Sequence, residues 1–186
     1  IETRTTPIEF EVRADGDGMT FEGYAAVFNS PSEPLPFIER IAPGAFKRSI
    51  EARNDIKLLW NHDTGTVLGS TRAGTMKLYE DSHGLRVSAS LPNTTAGRDA
   101  AELLRRGDID SMSFGFSVPA GGDDWSSDGS ERTLNSVRLH EVSIVAFPAY
   151  SSTAGTTSVR GLDKVAERAE VDADALADAI VKLEEG

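Results

Sequence analysis

The chain of 186 residues contains no cysteine, which excludes disulfide bonds, thiolate metal ligands and a cysteine nucleophile. It also has no apolar run near the roughly 18 residues that a membrane-spanning helix needs. Positive charge is scarce, since 19 Lys and Arg against 30 Asp and Glu leave a net charge of -11. Because nucleic-acid binding requires clustered cations, we expect neither a nucleic-acid nor a membrane partner. Ile1 stands first instead of Met, so we expect part of the natural N-terminus to be missing.

Alternating apolar residues predict several β-strands in the first 150 residues or so. Residues 8–28 contain two such runs around the turn DGDG, whose glycines suit tight turns. The same period-2 alternation recurs in three later segments: 76–91, 109–118 and 132–147. Helices are predicted over 44–52 and over 94–106, the second between a threonine cap and Gly107. Residues 119–131 are polar and predicted as a loop, and the whole pattern predicts a β-rich α+β fold.

The composition changes after about residue 151. The run SSTAGTTS has the character of a linker, and residues 162–185 are Ala-rich, acidic and free of glycine. Apolar residues in that last segment recur at helical spacing. We therefore predict a domain over 1–154, followed by a linker and an acidic helical tail over 155–186.

Three histidines, His62, His83 and His140, are the candidates for an acid–base group. His83 lies in the turn EDSHGL, where a surface role is expected. His62 lies in LLWNHD, where an apolar strand gives way to a polar turn, and functional residues are often placed at such ends of a rigid scaffold. The histidines lack the short spacings typical of zinc ligands, so we expect no metal and no cofactor.

Ser113, in the segment SMSFGF, is the candidate nucleophile. A serine nucleophile needs a base within hydrogen-bond reach and a third group that orients the base. The acids considered for the third role are Asp63, Asp108, Asp110 and Glu141. Asp63 adjoins His62 and would point to the opposite face of a strand, whereas Glu141 lies in the apolar run RLHEVSIVAF and needs a partner if it is buried. The two phenylalanines of SMSFGF lie on the face opposite Ser113 and are expected in the core. From the residues alone, a catalytic triad and a β-barrel binding module with a merely packed serine both stay open.

Five blocks of the sequence, taken in order, resemble the motifs of the prohead proteases of tailed bacteriophages. The blocks are GYAAVFN, ERIAPGAFKRSI, LLWNHD with VLG, DIDSMSFGFSV and LHEVSIVAFPAY, and the resemblance covers about residues 8–154. That family is similar in fold and mechanism to the herpesvirus capsid-maturation protease. The resemblance therefore implies an antiparallel β-barrel of the herpesvirus-protease type, surrounded by a few helices, with the serine protease domain over 1–154.

The resemblance also implies roles for individual residues. His62 in WNHD would be the general base, Ser113 in MSFGF the nucleophile and Glu141 in HEVSIV the third member of the triad. Ser111 shares the strand face of Ser113 and is the rival nucleophile. His140 is the rival third member, because the herpesvirus proteases have a histidine in that role.

The function implied by the resemblance is that of a serine endopeptidase of capsid maturation. Its substrates would be the major capsid protein precursor or a scaffolding protein, and the protease itself, inside the immature prohead in the host cytoplasm. The related viral enzymes imply a homodimer or a higher oligomer, and the linker STAGTTSVRG is the expected region of self-cleavage. A catalytically silent capsid-assembly or scaffolding module with the same fold is the alternative.

Overall fold

A computed structural model describes residues 1–7, 10–15, 18–31, 35–52 and 55–146. The strands and helices in these ranges are, in chain order, β1 (Glu2–Pro7), β2 (Phe10–Asp15), β3 (Gly18–Val27), β4 (Ile38–Ile41), α1 (Lys47–Glu51), β5 (Lys57–Trp60), β6 (Asp63–Ser70), β7 (Met76–Glu80), β8 (Gly84–Leu91), α2 (Thr95–Arg106), β9 (Ser111–Ser117), β10 (Asp123–Trp125), β11 (Glu131–Leu134) and β12 (Arg138–Val145). The predicted linker and helical tail, and the boundary between residues 154 and 155, lie outside the described residues and stay predictions.

The described strands form three sheets, which confirms a β-rich fold with few helices. The five-stranded sheet has the order β1-β9-β12-β5-β6, the four-stranded sheet β2-β3-β8-β7 and the three-stranded sheet β10-β11-β4. None of these three sheets closes on itself within the described ranges. The expectation of an antiparallel arrangement is met only in part. Most described strand pairs are antiparallel, but β12 runs parallel to β5 and β11 runs parallel to β4. Long stretches of chain separate the members of both pairs and supply the crossover connections that parallel strands require.

Strand β9 is buried on both of its faces. Phe114 and Phe116 stack with ring centroids 5.1 Å apart, and Phe46 meets Phe114 edge-on at 5.4 Å. This confirms that the phenylalanines of SMSFGF face the hydrophobic core. Ser111 and Ser113 on the opposite face are only 2% and 0% exposed, so a polar face is buried as well. Hydroxyl groups placed there need hydrogen-bond partners from the protein.

Helix α2 has the ends that the sequence predicts. The Thr94 side chain accepts a hydrogen bond from the Gly97 N–H, and the helix ends at Gly107, whose φ of 76° lies in the left-handed region that glycine adopts readily. Its buried stripe consists of Gly97, Ala100, Ala101 and Leu104. Helix α1 falls inside the predicted range 44–52 but is shorter. Neither described helix is long and apolar enough to cross a membrane.

The prediction of a loop over 119–131 is wrong in part, because this segment contains β10. Trp125 in β10 packs against Phe37 with ring centroids 4.7 Å apart, and the Arg132 guanidinium lies 5.4 Å from the Trp125 ring. Strand β10 is held by these contacts and by pairing with β11. Contacts of this kind depend on the tertiary fold, so the polar composition of the segment does not reveal them.

An ion-pair network around Arg132 ties β1 to the three-stranded sheet. The Arg132 guanidinium lies 2.8 Å from Glu2, 2.8 Å from Asp123 and 3.1 Å from Glu39, which is 2% exposed. Arg4 of β1 also contacts Glu39, at 2.6 Å. The hydrogen bond from Arg132 is the main cause that lowers the pKa of Glu2 below its usual value. The network therefore links β1, the edge strand beside β9, to all three strands of the three-stranded sheet.

We expect Arg132→Ala to lower the free energy of unfolding by about 3 kcal/mol, because it leaves the buried Glu39 carboxylate with less compensation. Urea denaturation followed by tryptophan fluorescence measures this. Arg13→Ala removes the exposed pair with Glu11 and should change stability by less than about 1 kcal/mol. The pKa of Glu2 is lower in the folded protein than its unfolded value of about 4.5. The stabilisation that Glu2 contributes is therefore fully present above the unfolded pKa and is lost as the pH falls through the folded pKa. Equal stability of the two variants would contradict a stabilising role of the network.

Candidate active site

The turn between β5 and β6 carries His62 in an unusual backbone conformation. Asn61 and His62 have φ values of 49° and 61°, in the left-handed region that asparagine tolerates and most other residues avoid. The Asn61 N–H donates to the carbonyl oxygen of Ile144, and its Oδ1 accepts from the N–H of Ala146, both at 2.9 Å. These two bonds attach the turn to the end of β12 and offset the cost of its conformation.

His62 is oriented by Glu141, which lies on β12. The distance between His62 Nδ1 and Glu141 Oε1 is 2.8 Å. A carboxylate can only accept a hydrogen bond, so this contact places a proton on Nδ1 and leaves the lone pair of a neutral ring on Nε2. The Nε2 atom is buried and has no hydrogen-bond partner among the described residues. Such an unpartnered atom is uncommon in a folded protein and suits a base that receives a proton during a reaction.

Ser143 completes the surroundings of Glu141. Its Oγ donates a hydrogen bond to Glu141 Oε2 and lies 3.4 Å from His62 Nδ1, and its side chain is wholly buried. Ser143 was not among the residues predicted for the site. The sequence did indicate that Ser143 lies near Glu141, because residues two positions apart on one strand share a face of the sheet.

Ser113 lies on the same face of the five-stranded sheet. In the register between β9 and β12, Ser113 is opposite Ser143 and Gly115 is opposite Glu141. Directly opposed residues on neighbouring strands place their side chains on one face of the sheet. The Ser113 Oγ donates to the Arg4 carbonyl oxygen of β1 at 2.9 Å. The structure therefore brings Ser113 to the face that holds Glu141 and Ser143, with Arg4 as its hydrogen-bond partner.

The two rival residues have partners elsewhere. The Ser111 Oγ donates to Asp110 Oδ1 at 2.9 Å, and Ser111 is opposite Val145 in the strand register. His140 Nε2 lies 2.9 Å from the Ser117 Oγ, beside a register shift in β12 between Leu139 and Glu141. These contacts engage both rivals with groups other than His62. The Ser113 hydroxyl is likewise engaged by the Arg4 carbonyl oxygen, and among the described residues no hydrogen bond joins Ser113 to His62.

The remaining candidates have local structural contacts. Asp63 accepts from the Thr66 hydroxyl and the Gly65 N–H, and the bond from Thr66 is the main cause that lowers the pKa of Asp63. Asp108 forms an ion pair with Arg106 at 2.8 Å. His83 meets the Tyr24 ring edge-on, with centroids 4.6 Å apart. In the part of the chain that the structure describes, no group of three His, Asp or Glu residues could hold a metal ion.

Serine hydrolases combine a carboxylate-oriented imidazole with a serine nucleophile. Here Glu141 orients His62, and the buried Ser113 lies on the sheet face that carries Glu141. The sequence matches the family model of the Caudovirus prohead serine proteases over residues 8–168, a range that includes Ser113, His62 and Glu141. The chain belongs to this family and is a serine protease of capsid maturation.

Two known proteins illustrate the similarity. The chain is 31% identical over 163 residues to the prohead protease of Enterobacteria phage HK97, and the match covers 84% of this chain and 68% of that protein. The solved structure of the bacteriophage T4 capsid assembly protease matches with a TM-score of 0.48 and 13% identity. That match covers 78% of this chain and 99% of the T4 chain.

Proposed function

We propose that the chain cleaves the major capsid protein precursor or a scaffolding protein, and itself, by acyl transfer through Ser113, His62 and Glu141. The observation that carries the proposal is the state of His62. Its Nδ1 contacts Glu141 at 2.8 Å, while its Nε2 is buried and unpartnered among the described residues. A general base that takes a serine proton needs this tautomer and this vacant lone pair.

In the proposed mechanism, His62 Nε2 accepts the hydroxyl proton as the Ser113 Oγ attacks the peptide carbonyl carbon. The proton then passes from Nε2 to the leaving amine, and an acyl-enzyme forms on Ser113. Nε2 then takes a proton from water, whose oxygen attacks the acyl carbon. The bond between this carbon and the Ser113 Oγ breaks, and Nε2 returns the proton to the Oγ. Throughout, the negative charge of Glu141 offsets the positive charge of the imidazolium ring and keeps it oriented.

The mechanism requires the Ser113 hydroxyl to exchange its partner. In the structure the Oγ donates to the Arg4 carbonyl oxygen, and in the reactive state it would donate to His62 Nε2. One neutral hydrogen bond contributes about 1 kcal/mol net, and the new bond to the imidazole replaces it. Catalytic hydrogen bonds often form fully only when substrate is bound, so we expect the Ser113 hydroxyl to change partner on substrate binding.

The setting that we propose is the interior of the immature prohead in the host cytoplasm, with the protease as a homodimer or a higher oligomer. This part of the proposal, together with a barrel of the herpesvirus-protease type, is supported by the resemblance of the sequence motifs. The proposed helical C-terminal tail is supported by the helical spacing of apolar residues over 162–185. A catalytically silent assembly module would have no use for an imidazole held in one tautomer, so the enzymatic function is the better supported one.

Covalent labelling tests the proposed nucleophile. A fluorophosphonate probe reacts with activated serines, and we expect tandem mass spectrometry to find the adduct on Ser113. His62→Ala should abolish labelling, whereas His83→Ala, which changes a histidine in the turn between β7 and β8, should retain it. An adduct on Ser111 or Ser143, or labelling that survives His62→Ala, would reject the assignment. Absence of both labelling and precursor cleavage in the wild type would favour the silent module.

A further inference from the structure

Two residues outside the proposed triad adjoin the carboxylate of Glu141: Ser143 donates a hydrogen bond to it, and Gly115 leaves the space that it occupies. We infer that Ser143 and Gly115 are positioning residues, which together keep this carboxylate against His62 and hold His62 in the tautomer of a general base. The inference rests on the proposed function, because it concerns how the catalytic base is oriented. It adds two residues that act through Glu141 and not on the substrate.

Ser143 engages the carboxylate oxygen that His62 leaves free. Glu141 Oε1 contacts His62 Nδ1, and Glu141 Oε2 accepts the hydrogen bond from the Ser143 Oγ. A carboxylate bound at both oxygens cannot rotate about its terminal bond without losing a partner. Because Ser143 is 0% exposed, bulk water does not compete for this bond. Ser143 therefore fixes the rotation of the carboxylate.

Ser143 also constrains the protonation of His62. A hydroxyl group carries one proton, and that of Ser143 is donated to Glu141. Toward His62 Nδ1, which lies 3.4 Å away, the Ser143 oxygen can therefore only accept. Both oxygens near Nδ1 are acceptors, so the favourable position for the ring proton is Nδ1. The lone pair then lies on Nε2, as general-base catalysis by His62 requires.

Gly115 supplies the space that the carboxylate occupies. It lies opposite Glu141 in the register between β9 and β12. A Cβ atom at position 115 would overlap Glu141 Oε1 and lie 3.2 Å from its Cδ and 3.3 Å from its Cγ. Any side chain there must therefore displace the atom that contacts His62. Gly115 is not among the described glycines with positive φ, so the requirement is for space and not for a special backbone conformation.

The kinetics of fluorophosphonate labelling test this inference. We expect Ser143→Ala to lower the labelling rate at saturating probe about 10- to 100-fold, by analogy with the loss caused when a hydrogen-bond partner that orients a metal ligand is removed. The probe concentration at half-saturation should stay unchanged, because Ser143 acts through Glu141. Ser143→Thr retains a hydroxyl group and should recover part of the rate. Ser70→Ala is the matched control, since it removes another buried serine that donates to a carboxylate, that of Asp55 at 2.8 Å.

A spectroscopic readout separates positioning from a general loss of structure. The proton on His62 Nδ1, bound to Glu141, should give a downfield NMR resonance in the wild type and in Ser70→Ala. It should shift or broaden in Ser143→Ala and in Gly115→Ala. If Ser143→Ala does not fold, the same two measurements on Gly115→Ala test the displacement of the carboxylate. Wild-type rates and an unchanged resonance in the folded variants would overturn the inference.

The same set of experiments separates this inference from the proposed function. If Ser113→Ala still reacts with the probe, the proposed nucleophile is wrong, whatever Ser143→Ala does. If Ser113→Ala is unreactive while Ser143→Ala and Gly115→Ala label at the wild-type rate, the triad stands and the positioning roles fail.

Discussion

Ser113→Ala is expected to reduce cleavage of the capsid precursor about a million-fold, to below detection, because the attacking oxygen is lost. Residues of a triad act as one unit, so His62→Ala should cost about as much as the serine change and the double variant little more. Gel analysis of the precursor incubated with each variant measures this loss. Ser113 is fully buried between strands, so circular dichroism should first verify that each variant keeps the fold.

Ser111→Ala is the matched control for this prediction. Ser111 lies on the same strand and the same face as Ser113 and is almost as deeply buried, but its hydroxyl donates to Asp110. We expect this variant to cleave within about tenfold of the wild type, because it loses one ordinary hydrogen bond of roughly 1 kcal/mol. If Ser111→Ala were inactive while Ser113→Ala cleaved the precursor, Ser111 would be the nucleophile.

The Ser113→Ala variant also tests self-cleavage. Wild-type protein that cuts itself in the linker STAGTTSVRG should show a shortened species by intact-mass spectrometry, while Ser113→Ala should show the full-length mass alone. A shortened species of identical mass in both preparations would assign the cut to another protease. That result would reject self-cleavage. It would not affect the cleavage of capsid precursors, which the gel assay tests separately.

The secondary structure of the site was largely predictable because it depends on local patterns. Period-2 alternation predicted the strands that became β9 and β12, and the Thr94 and Gly107 signals predicted both ends of α2. The two helices and most strands of the described part follow from such signals. Strands β1, β4 and β10 did not follow from them. The polar sequence of β10 is held in place by the contacts of Trp125 with Phe37 and Arg132.

The assembly of the site was not predictable from local patterns. His62 reaches Glu141 because β5 and β12 pair in parallel, although they are far apart in the sequence. No local rule specifies such a pairing, and the family resemblance implied antiparallel strands. Strand parity placed Glu141, Ser143 and Ser113 on particular faces, but only the register between β9 and β12 puts Ser143 opposite Ser113. The role of Ser143 follows from that register and from the hydrogen bonds that it allows.

Glu141→Gln is expected to lower the rate of precursor cleavage up to about 10,000-fold, as the equivalent carboxylate-to-amide change does in a Ser-His-Asp triad. The substituted side chain keeps the shape of Glu141 and loses its charge. If the amide nitrogen faces His62 Nδ1, the ring proton must move to Nε2, which then cannot accept a proton from Ser113. If the amide oxygen faces Nδ1, the tautomer is kept, but no negative charge offsets the imidazolium that forms in the transition state.

Both orientations of the amide in the Glu141→Gln variant are possible because of Ser143. The Ser143 hydroxyl can donate to an amide oxygen or accept from an amide nitrogen, so either orientation satisfies its hydrogen bond. The His62 Nδ1 proton resonance distinguishes them, since it persists when the amide oxygen faces Nδ1 and disappears when the amide nitrogen does. A large loss of rate with the resonance preserved would assign the effect of Glu141 chiefly to its charge.

Two controls determine whether Glu141 is the third member of the triad. Glu102→Gln makes the same chemical change on the exposed side of α2, where Glu102 pairs with Arg105, and should leave cleavage unchanged. His140→Ala removes the rival third member, whose Nε2 contacts Ser117, and should stay within about tenfold of the wild type because one hydrogen bond of roughly 1 kcal/mol is lost. Cleavage by Glu141→Gln at the wild-type rate, together with an inactive His140→Ala, would transfer the role to His140. The 2.8 Å contact between Glu141 and His62 leads us to expect the opposite result.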